Sequence, residues 1–226
     1  MRESLESEPL RTLEIESTNT DQLLFKGWTT VLPRNSCRQY LKPKFCLVVR
    51  SLNGQHNVIV DVVTSSLPLS SVNYLQLDGV SPRSWKQTFR GMVDLTQLHL
   101  CRTAEGLPAA LSPNSPKKKK AKKAGRAAAN MIETQDELDP HLCLFPRLEY
   151  IRLEAVRFYK IYKEPSSKDF MKRFERAMKS KRYKHSKFPH VDIVRVFNFA
   201  EEEHTRLKGI VQECTWDGSV KLGSHR

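Results

Sequence analysis

The sequence is poor in glycine, has no paired cysteines and contains no long apolar run. Nine glycines in 226 residues are few for a loop that cradles phosphate. No dinucleotide-binding, nucleotide P-loop, serine-elbow or His-Glu-x-x-His pattern occurs, so no catalytic site and no cofactor are expected. Cys37, Cys46, Cys101, Cys143 and Cys214 include no Cys-x-x-Cys pair. That usage fits reduced thiols in an intracellular protein and not a disulfide framework. No apolar run approaches the roughly 18 residues of a membrane helix. Met1 to Pro9 is acidic and polar, unlike the basic start and apolar stretch of a secretory signal. Hydrophobic residues make up 39% and mean hydropathy is −0.52. These values imply a real core with a polar, charged portion outside it.

Acidic residues are in deficit: 25 against 38 Lys plus Arg, for a formal net charge of +13. The excess is local. Lys117 to Arg126 carries seven positive charges and no negative one, and Lys160 to Lys187 carries eleven positive and three negative. The rest of the chain is nearly neutral. The first segment lies in SPNSPKKKKAKKAGRAAAN, with no large apolar residue between Leu111 and Met131. Such a stretch cannot bury enough surface to offset its ordering entropy, so a disordered basic insert is expected over 112–141. Lys117, Lys118, Lys119, Lys120, Lys122 and Lys123 read as a nuclear localisation signal, which places the protein in the nucleus or in nucleus and cytoplasm. A solvated charge run and a nonspecific polyanion contact are the competing readings. In the second segment Phe170, Met171, Phe174, Ala177 and Met178 recur at helical spacing after Ser166-Ser167. This predicts a capped amphipathic helix with its Phe/Met face in the core and Lys172, Arg173, Arg176 and Lys179 in solvent. Binding of anions or a membrane surface by that basic face is the alternative.

The apolar residues contain a repeat. The pattern apolar-x-x-apolar-x-apolar occurs at Leu10-Leu13-Ile15, Val72-Leu75-Leu77, Leu95-Leu98-Leu100, Leu148-Ile151-Leu153 and Val191-Val194-Val196. Phe145-Pro146 and Phe188-Pro189 lead into two of these units, and Leu69 and Met92 stand where Phe145 does. Two apolar residues two apart point to one face of a short strand, and the residue three earlier turns into the same core. The spacing is that of the strand portion of a leucine-rich repeat. Successive units lie 23 residues apart between Leu77 and Leu100, and 53 apart between Leu100 and Leu153. Phe45, Leu47 and Val49 predict a further strand.

Between the strands, covering helices are predicted over Asn57–Ser66 (Val58, Val62 and Val63 on one face, with a strand as the alternative because the segment is rich in β-branched residues), Ser84–Phe89, Ala104–Leu111, Ser167–Arg182 and Ala200–Glu213. The last has acids in its first turn, as the helix dipole favours, and an inner stripe of Leu207, Ile210 and Val211. The expected fold class is α/β: an irregular leucine-rich-repeat-like solenoid of short parallel strands with covering helices and a disordered Lys-rich insert. Units in 1–111 and 142–226 would form one continuous solenoid, interrupted at 112–141.

The phrases LPLSSVNYLQLDG, SWKQTFRGMVDLTQLHLC, LFPRLEYIRLE and IVQECTWDG resemble the C-terminal region of fungal F-box/leucine-rich-repeat-like proteins, especially those of mushroom-type fungi. The resemblance spans nearly the whole chain apart from the lysine insert, and it rests on apolar spacings and not on catalytic signatures. It implies a substrate-recognition role in ubiquitin ligation. Members of that family open with an F-box that docks the ligase adaptor. No such segment is recognised here, since Leu32-Pro33 leads into RNSCRQYLKPKF and not into a helical apolar run. A truncated gene model, a fragment, or a relative without the F-box are the readings left open, and adaptor contact is expected only with an F-box upstream.

His99-Leu100-Cys101 and His141-Leu142-Cys143 look like paired zinc-ligand dipeptides. Their spacing fits no zinc finger, and the repeat puts His99 and Cys101 at a strand end, so no metal is expected. The expected function is protein binding through polar side chains on the strands: Asn73, Gln76, Gln97, His99, Arg152 and Arg195. The alternative is a nuclear polyanion-binding protein that uses the two basic segments. No membrane partner is expected.

Overall fold

The apolar triplets become strands of a single open sheet. The computed structural model describes residues 8–19, 21–32, 41–51, 55–112, 144–158, 170–180 and 190–219. Its strands are β1 (Thr12–Asn19), β2 (Gln22–Trp28), β3 (Phe45–Arg50), β4 (Tyr74–Asp78), β5 (Gln97–Cys101), β6 (Tyr150–Glu154), β7 (His190–Val194) and β8 (Cys214–Trp216). The helices are α1 (His56–Ser65), α2 (Trp85–Thr88), α3 (Leu107–Leu111), α4 (Phe170–Met178) and α5 (Glu201–Lys208). Sheet order is β3-β2-β1-β4-β5-β6-β7-β8. From β1 to β8 every pairing is parallel. One helix lies in the sequence between each successive pair from β3 to β8. The lysine run Lys117–Lys123 lies outside the described residues, and β5 pairs directly with β6 across it.

The register explains why the pattern repeats. Leu13, Leu75, Leu98, Ile151 and Val191 stand side by side, as do Ile15, Leu77, Leu100, Leu153 and Ile193. All ten are fully buried. Leu10, Val72, Leu95 and Leu148 turn into the same core from the preceding loops, followed by Leu69, Met92 and Phe145. Buried apolar side chains of all five helices join this cluster, so the helices cover one face of the sheet. Trp85 packs edge-on to Phe89 and Phe145, with centroids 5.6 and 6.5 Å away. In α4, Phe170, Met171, Phe174, Ala177 and Met178 are buried while Lys172, Arg173, Arg176 and Lys179 are exposed, as the spacing predicts. The Ser166-Ser167 cap falls outside the described residues. Acidic Glu201, Glu202 and Glu203 open α5, and Glu203 Oε2 accepts the Ala200 N–H at 2.9 Å.

Four expectations are corrected. The strands are not all parallel: β2 and β3 run antiparallel and extend the sheet beyond β1. Strand β2 was not anticipated, because LLFKGW lacks the triplet spacing, although Leu23 and Phe25 are buried. In α1 the buried residues are Val60 and Thr64, whereas Val58 and Val62 are exposed, because the helix turns its Val60 stripe to the sheet. The fifth unit is shifted by three residues: Val191 and Ile193 align with Ile151 and Leu153, and Val194 lies opposite Glu154 on the other face. Val191 and Ile193 therefore take the places of Ile151 and Leu153, and Phe188 lies outside the described residues.

Each parallel strand from β4 to β7 ends in a left-handed residue: Gly79 (φ 66), Arg102 (φ 68), Ala155 (φ 52) and Arg195 (φ 51). The turn reverses the chain so that Val80, Ala104, Val156 and Val196 drop back into the core. The amides of Gly79, Arg102 and Ala155 bond the carbonyls of Cys101, Glu154 and Val194 at 2.9–3.0 Å. At the last unit the Asp217 carboxylate replaces the carbonyl, accepting the Arg195 N–H at 2.8 Å. Burial opposes ionisation of Asp217, but hydrogen bonds from Ser219 and Arg195 hold its carboxyl below the usual range.

Candidate recognition face

Successive side chains on a strand alternate between faces, so the polar residues of the repeats gather on the side opposite the helices. They form three rows. The first holds Thr12, Tyr74, Gln97, Tyr150 and His190, and the second Glu14, Gln76, His99, Arg152, Asp192 and Thr215. The third holds Glu16, Asp78, Cys101, Glu154 and Val194. On the same side Lys26 of β2 reaches Glu14 and Glu16 at 3.5 and 3.7 Å. Trp28, Leu32, Tyr74 and Tyr150 are buried but stand outside the helix-side cluster. Leu32 N–H bonds the Thr12 hydroxyl at 3.2 Å, so the segment after β2 covers the start of the first row.

The rows are wired together. Tyr74 Oη lies 3.1 Å from His99 Nδ1, and His99 Nε2 lies 3.1 Å from Glu154 Oε2. A carboxylate accepts only, so Nε2 carries the proton. Nδ1 shares a hydrogen bond with the Tyr74 hydroxyl, which also donates to Gln76 Oε1 at 3.3 Å. Glu154 Oε2 also accepts from Arg152 Nε at 3.1 Å, and Glu154 Oε1 pairs with Arg195. Arg152 Nη1 continues to Asp192 Oδ2 at 3.1 Å, where Tyr150 also donates at 3.0 Å. Thr215 donates to Asp192 Oδ1 at 2.7 Å. Burial first, then the Asp192 charge, pushes the Tyr150 phenol up to about 12, so it stays a donor. Glu154 is the hub, with a side chain only 12% exposed. A satisfied network of this kind holds its members in one geometry.

At the C-terminal ends of the strands the face opens into a cavity of about 340 Å³ lined by Glu16, Ser17, Thr18, Asp78, Cys101, Arg102, Glu154, Ala155 and Arg195. Arg102 pairs through Nε with Asp78 and donates from Nη2 to the Ser17 carbonyl at 2.8 Å. Burial, followed by the Asp78 charge, pushes the Cys101 thiol up to about 11. It is therefore a neutral thiol at ordinary pH and a poor nucleophile.

Of the residues predicted for the binding face, Gln76, Gln97, His99 and Arg152 lie together on it. Asn73 lies just before β4: its amide donates to the Asp94 carbonyl at 3.0 Å and its oxygen accepts from Arg11 at 3.3 Å, linking loops of neighbouring units. Arg195 is not a strand residue but the left-handed residue after β7, and it reaches the face through Glu154. Tyr74, Tyr150, Glu154, Asp192 and Arg102 were not singled out from the sequence. Tyr74, Tyr150 and Glu154 stand two residues from Gln76 and Arg152, so strict alternation would have found them. Asp192 was hidden by the frame of the fifth unit. Among the described residues, no group of His, Cys, Asp and Glu is arranged to hold a metal ion, and no helix is long and apolar enough to cross a membrane. His141 and Cys143 lie outside the described residues.

No protein-family model matches the chain, and no curated protein or solved structure shows detectable similarity to it.

Proposed function

We propose that this chain is a protein-binding module that recognises its partner through the polar strand face, built as an irregular leucine-rich-repeat-like solenoid. The observation that carries the reading is the continuous network from Tyr74 through His99, Glu154 and Arg152 to Asp192 and Thr215. It crosses five parallel strands on the side opposite the helix-covered core. Such a pre-organised surface loses little side-chain entropy when a partner docks. The resemblance to F-box/leucine-rich-repeat-like proteins supports substrate recognition in ubiquitin ligation as the finer reading. Affinity purification of the full-length protein from its native cell tests this. Recovery of a partner protein that is lost with Arg152→Ala and Gln76→Ala is the expected outcome for the face, and recovery of ligase subunits that survives both changes is expected for the ligase role. Their absence with a stably expressed protein removes the ligase role.

A second reading has its own support in the exposed basic face of α4, Lys172, Arg173, Arg176 and Lys179. Here the ligand would be a nucleic acid and the address nuclear. Binding should then weaken by about 0.9 log units per neutralised phosphate for each log unit of salt. No DNA or RNA binding at about 50 mM salt removes it.

A further inference from the structure

We infer that the open edge of β3 takes up an extended segment of a partner protein as a further strand of the sheet. That segment is apolar over about five residues, the length of the uncharged part of β3, and carries an Asp or Glu at each end. This edge is separate from the polar rows, so the inference goes beyond the reading proposed above and does not depend on it. Three observations carry it.

First, the backbone of the edge is free to pair. Among the described residues β3 has β2 on one side and no strand on the other. The Ser51 N–H bonds the Asp21 carbonyl. Bonded residues alternate along an antiparallel pair, so Val49, Leu47 and Phe45 also turn their N–H and C=O groups toward β2. Cys46, Val48 and Arg50 turn theirs outward. An edge of this kind is a template for another strand.

Second, β3 is apolar on both faces. Phe45, Leu47 and Val49 lie opposite Gly27, Phe25 and Leu23, on the helix side of the sheet. Cys46 and Val48 lie opposite Lys26 and Leu24, on the polar side. Leu47 is 43% and Val48 59% exposed, and Cys46 is exposed as well. From Phe45 to Val49 there is no proline and no charge, the devices that keep an edge from pairing. An added apolar strand would cover both faces.

Third, charge selects the occupant. Residues 41–51 carry Lys42, Lys44 and Arg50, all exposed, and no acid. None of the three has an ionic partner among the described residues. This argues against a second copy of the chain. In a two-fold pairing of β3 with itself, centred on Leu47 or Val48, Lys44 of one copy stands opposite or diagonal to Arg50 of the other. Like charges placed so repel. A strand with acidic ends meets attraction at both. Lys44 and Arg50 are six residues apart, so their side chains share one face at a separation of about 20 Å. The acids of the incoming strand should therefore stand about six positions apart, at the same rise per residue.

The test is selection of phage-displayed random twelve-residue peptides on the full chain at about 150 mM salt, where long-range charge is screened. It is repeated on a full chain with Lys117, Lys118, Lys119, Lys120, Lys122 and Lys123 replaced by Gln, which discards peptides held by the lysine run. Peptides enriched on both are synthesised, and their affinity is read by fluorescence anisotropy. The expected peptides share an apolar run between two acids. N-methylation of alternate amides in that run should weaken binding about tenfold or more when the methylated amides face β3, as loss of backbone bonds does. Methylation of the intervening amides should have little effect. Changing both acids to Asn or Gln should weaken binding severalfold, and so should Lys44→Gln with Arg50→Gln. Val48→Pro removes an outward donor without touching the bonds to β2 and should abolish binding. The peptide-side changes need no altered protein, so misfolding cannot mimic them. Peptides indifferent to which amides are methylated, or without paired acids, overturn the inference. If those peptides lose affinity with Gln76→Ala and Arg152→Ala, the polar face binds protein and the edge alone is wrong. No enrichment also overturns the edge and leaves the polar face to its own purification test. A dimer in sedimentation that Val48→Pro dissociates would give the edge to a second copy and overturn the inference as well.

Discussion

Ile193 and Val194 give the sharpest test of how the fifth unit sits in the sheet. The triplet Val191-Val194-Val196, read from spacing alone, sends Val194 inward. The register sends Ile193 inward instead, fully buried beside Leu153, with Val194 half-buried on the polar face opposite Glu154. Ile193→Ala deletes three carbons from a closed core. At about 0.8 kcal/mol each, plus a cavity term, this costs roughly 3–4 kcal/mol. Val194→Ala deletes two carbons from a partly wetted site and costs about 1 kcal/mol or less. In urea unfolding monitored by tryptophan fluorescence, the two midpoints should separate clearly with the slope unchanged. In a thermal scan the first variant should melt roughly 6–16 °C lower, at about 2–4 °C per kcal/mol for a chain of this size. Equal losses, or a greater loss for Val194→Ala, would refute the register and with it the composition of the polar rows.

Other outcomes follow from single features. Gly106→Ala drives a methyl into Trp85 at Nε1 and Cδ1 and should cost about 1–3 kcal/mol in unfolding free energy. Ala155→Gly relieves a left-handed alanine (φ 52), so it should stabilise by about 0.5–1 kcal/mol, and a lowered melting temperature would contradict the turn. Glu154→Gln removes the charge that pairs Arg195 and leaves Arg152 with Asp192 alone, so it should cost about 2 kcal/mol, discounted for the exposure of Arg195. A double-mutant cycle with His99→Gln should show coupling above about 0.5 kcal/mol. Burial pushes the Cys214 thiol from 9.0 up to about 11. The unfolded thiol ionises first, so this contribution is complete below pH 9.0 and is lost as pH rises toward 11. Cys214→Ala should flatten that loss, and an unchanged pH slope would argue against burial of the thiol. At pH 8, peptide mapping after iodoacetamide should show exposed Cys46 modified before Cys101 and Cys214.

Much of the fold was legible because a strand buried on one face repeats every two residues, and its loop contributes an apolar residue three before. That signal located β1, β4, β5 and β6 and their inward residues. It failed at β7, where Val194 and Val196 offered a second frame of equal quality three residues on. It failed at β2, where a hairpin strand needs no triplet. For α4 the aromatic and methionine stripe sufficed, since only one face of that helix could be buried. For α1 five apolar residues spread around the helix, and only packing selected Val60.

The sequence by itself determined that parallel strands would share one apolar face and that Gln76, Gln97, His99 and Arg152 would stand together opposite it. The tertiary structure alone decided the antiparallel addition of β2 and β3, the frame of β7, and the cavity that joins Arg102 to Asp78 and Arg195 to Glu154. The reason is physical. Burial on one face is a local property of each strand, written in its own spacing. Register between strands comes from the packing of all of them at once, and it is register that sets which charges meet.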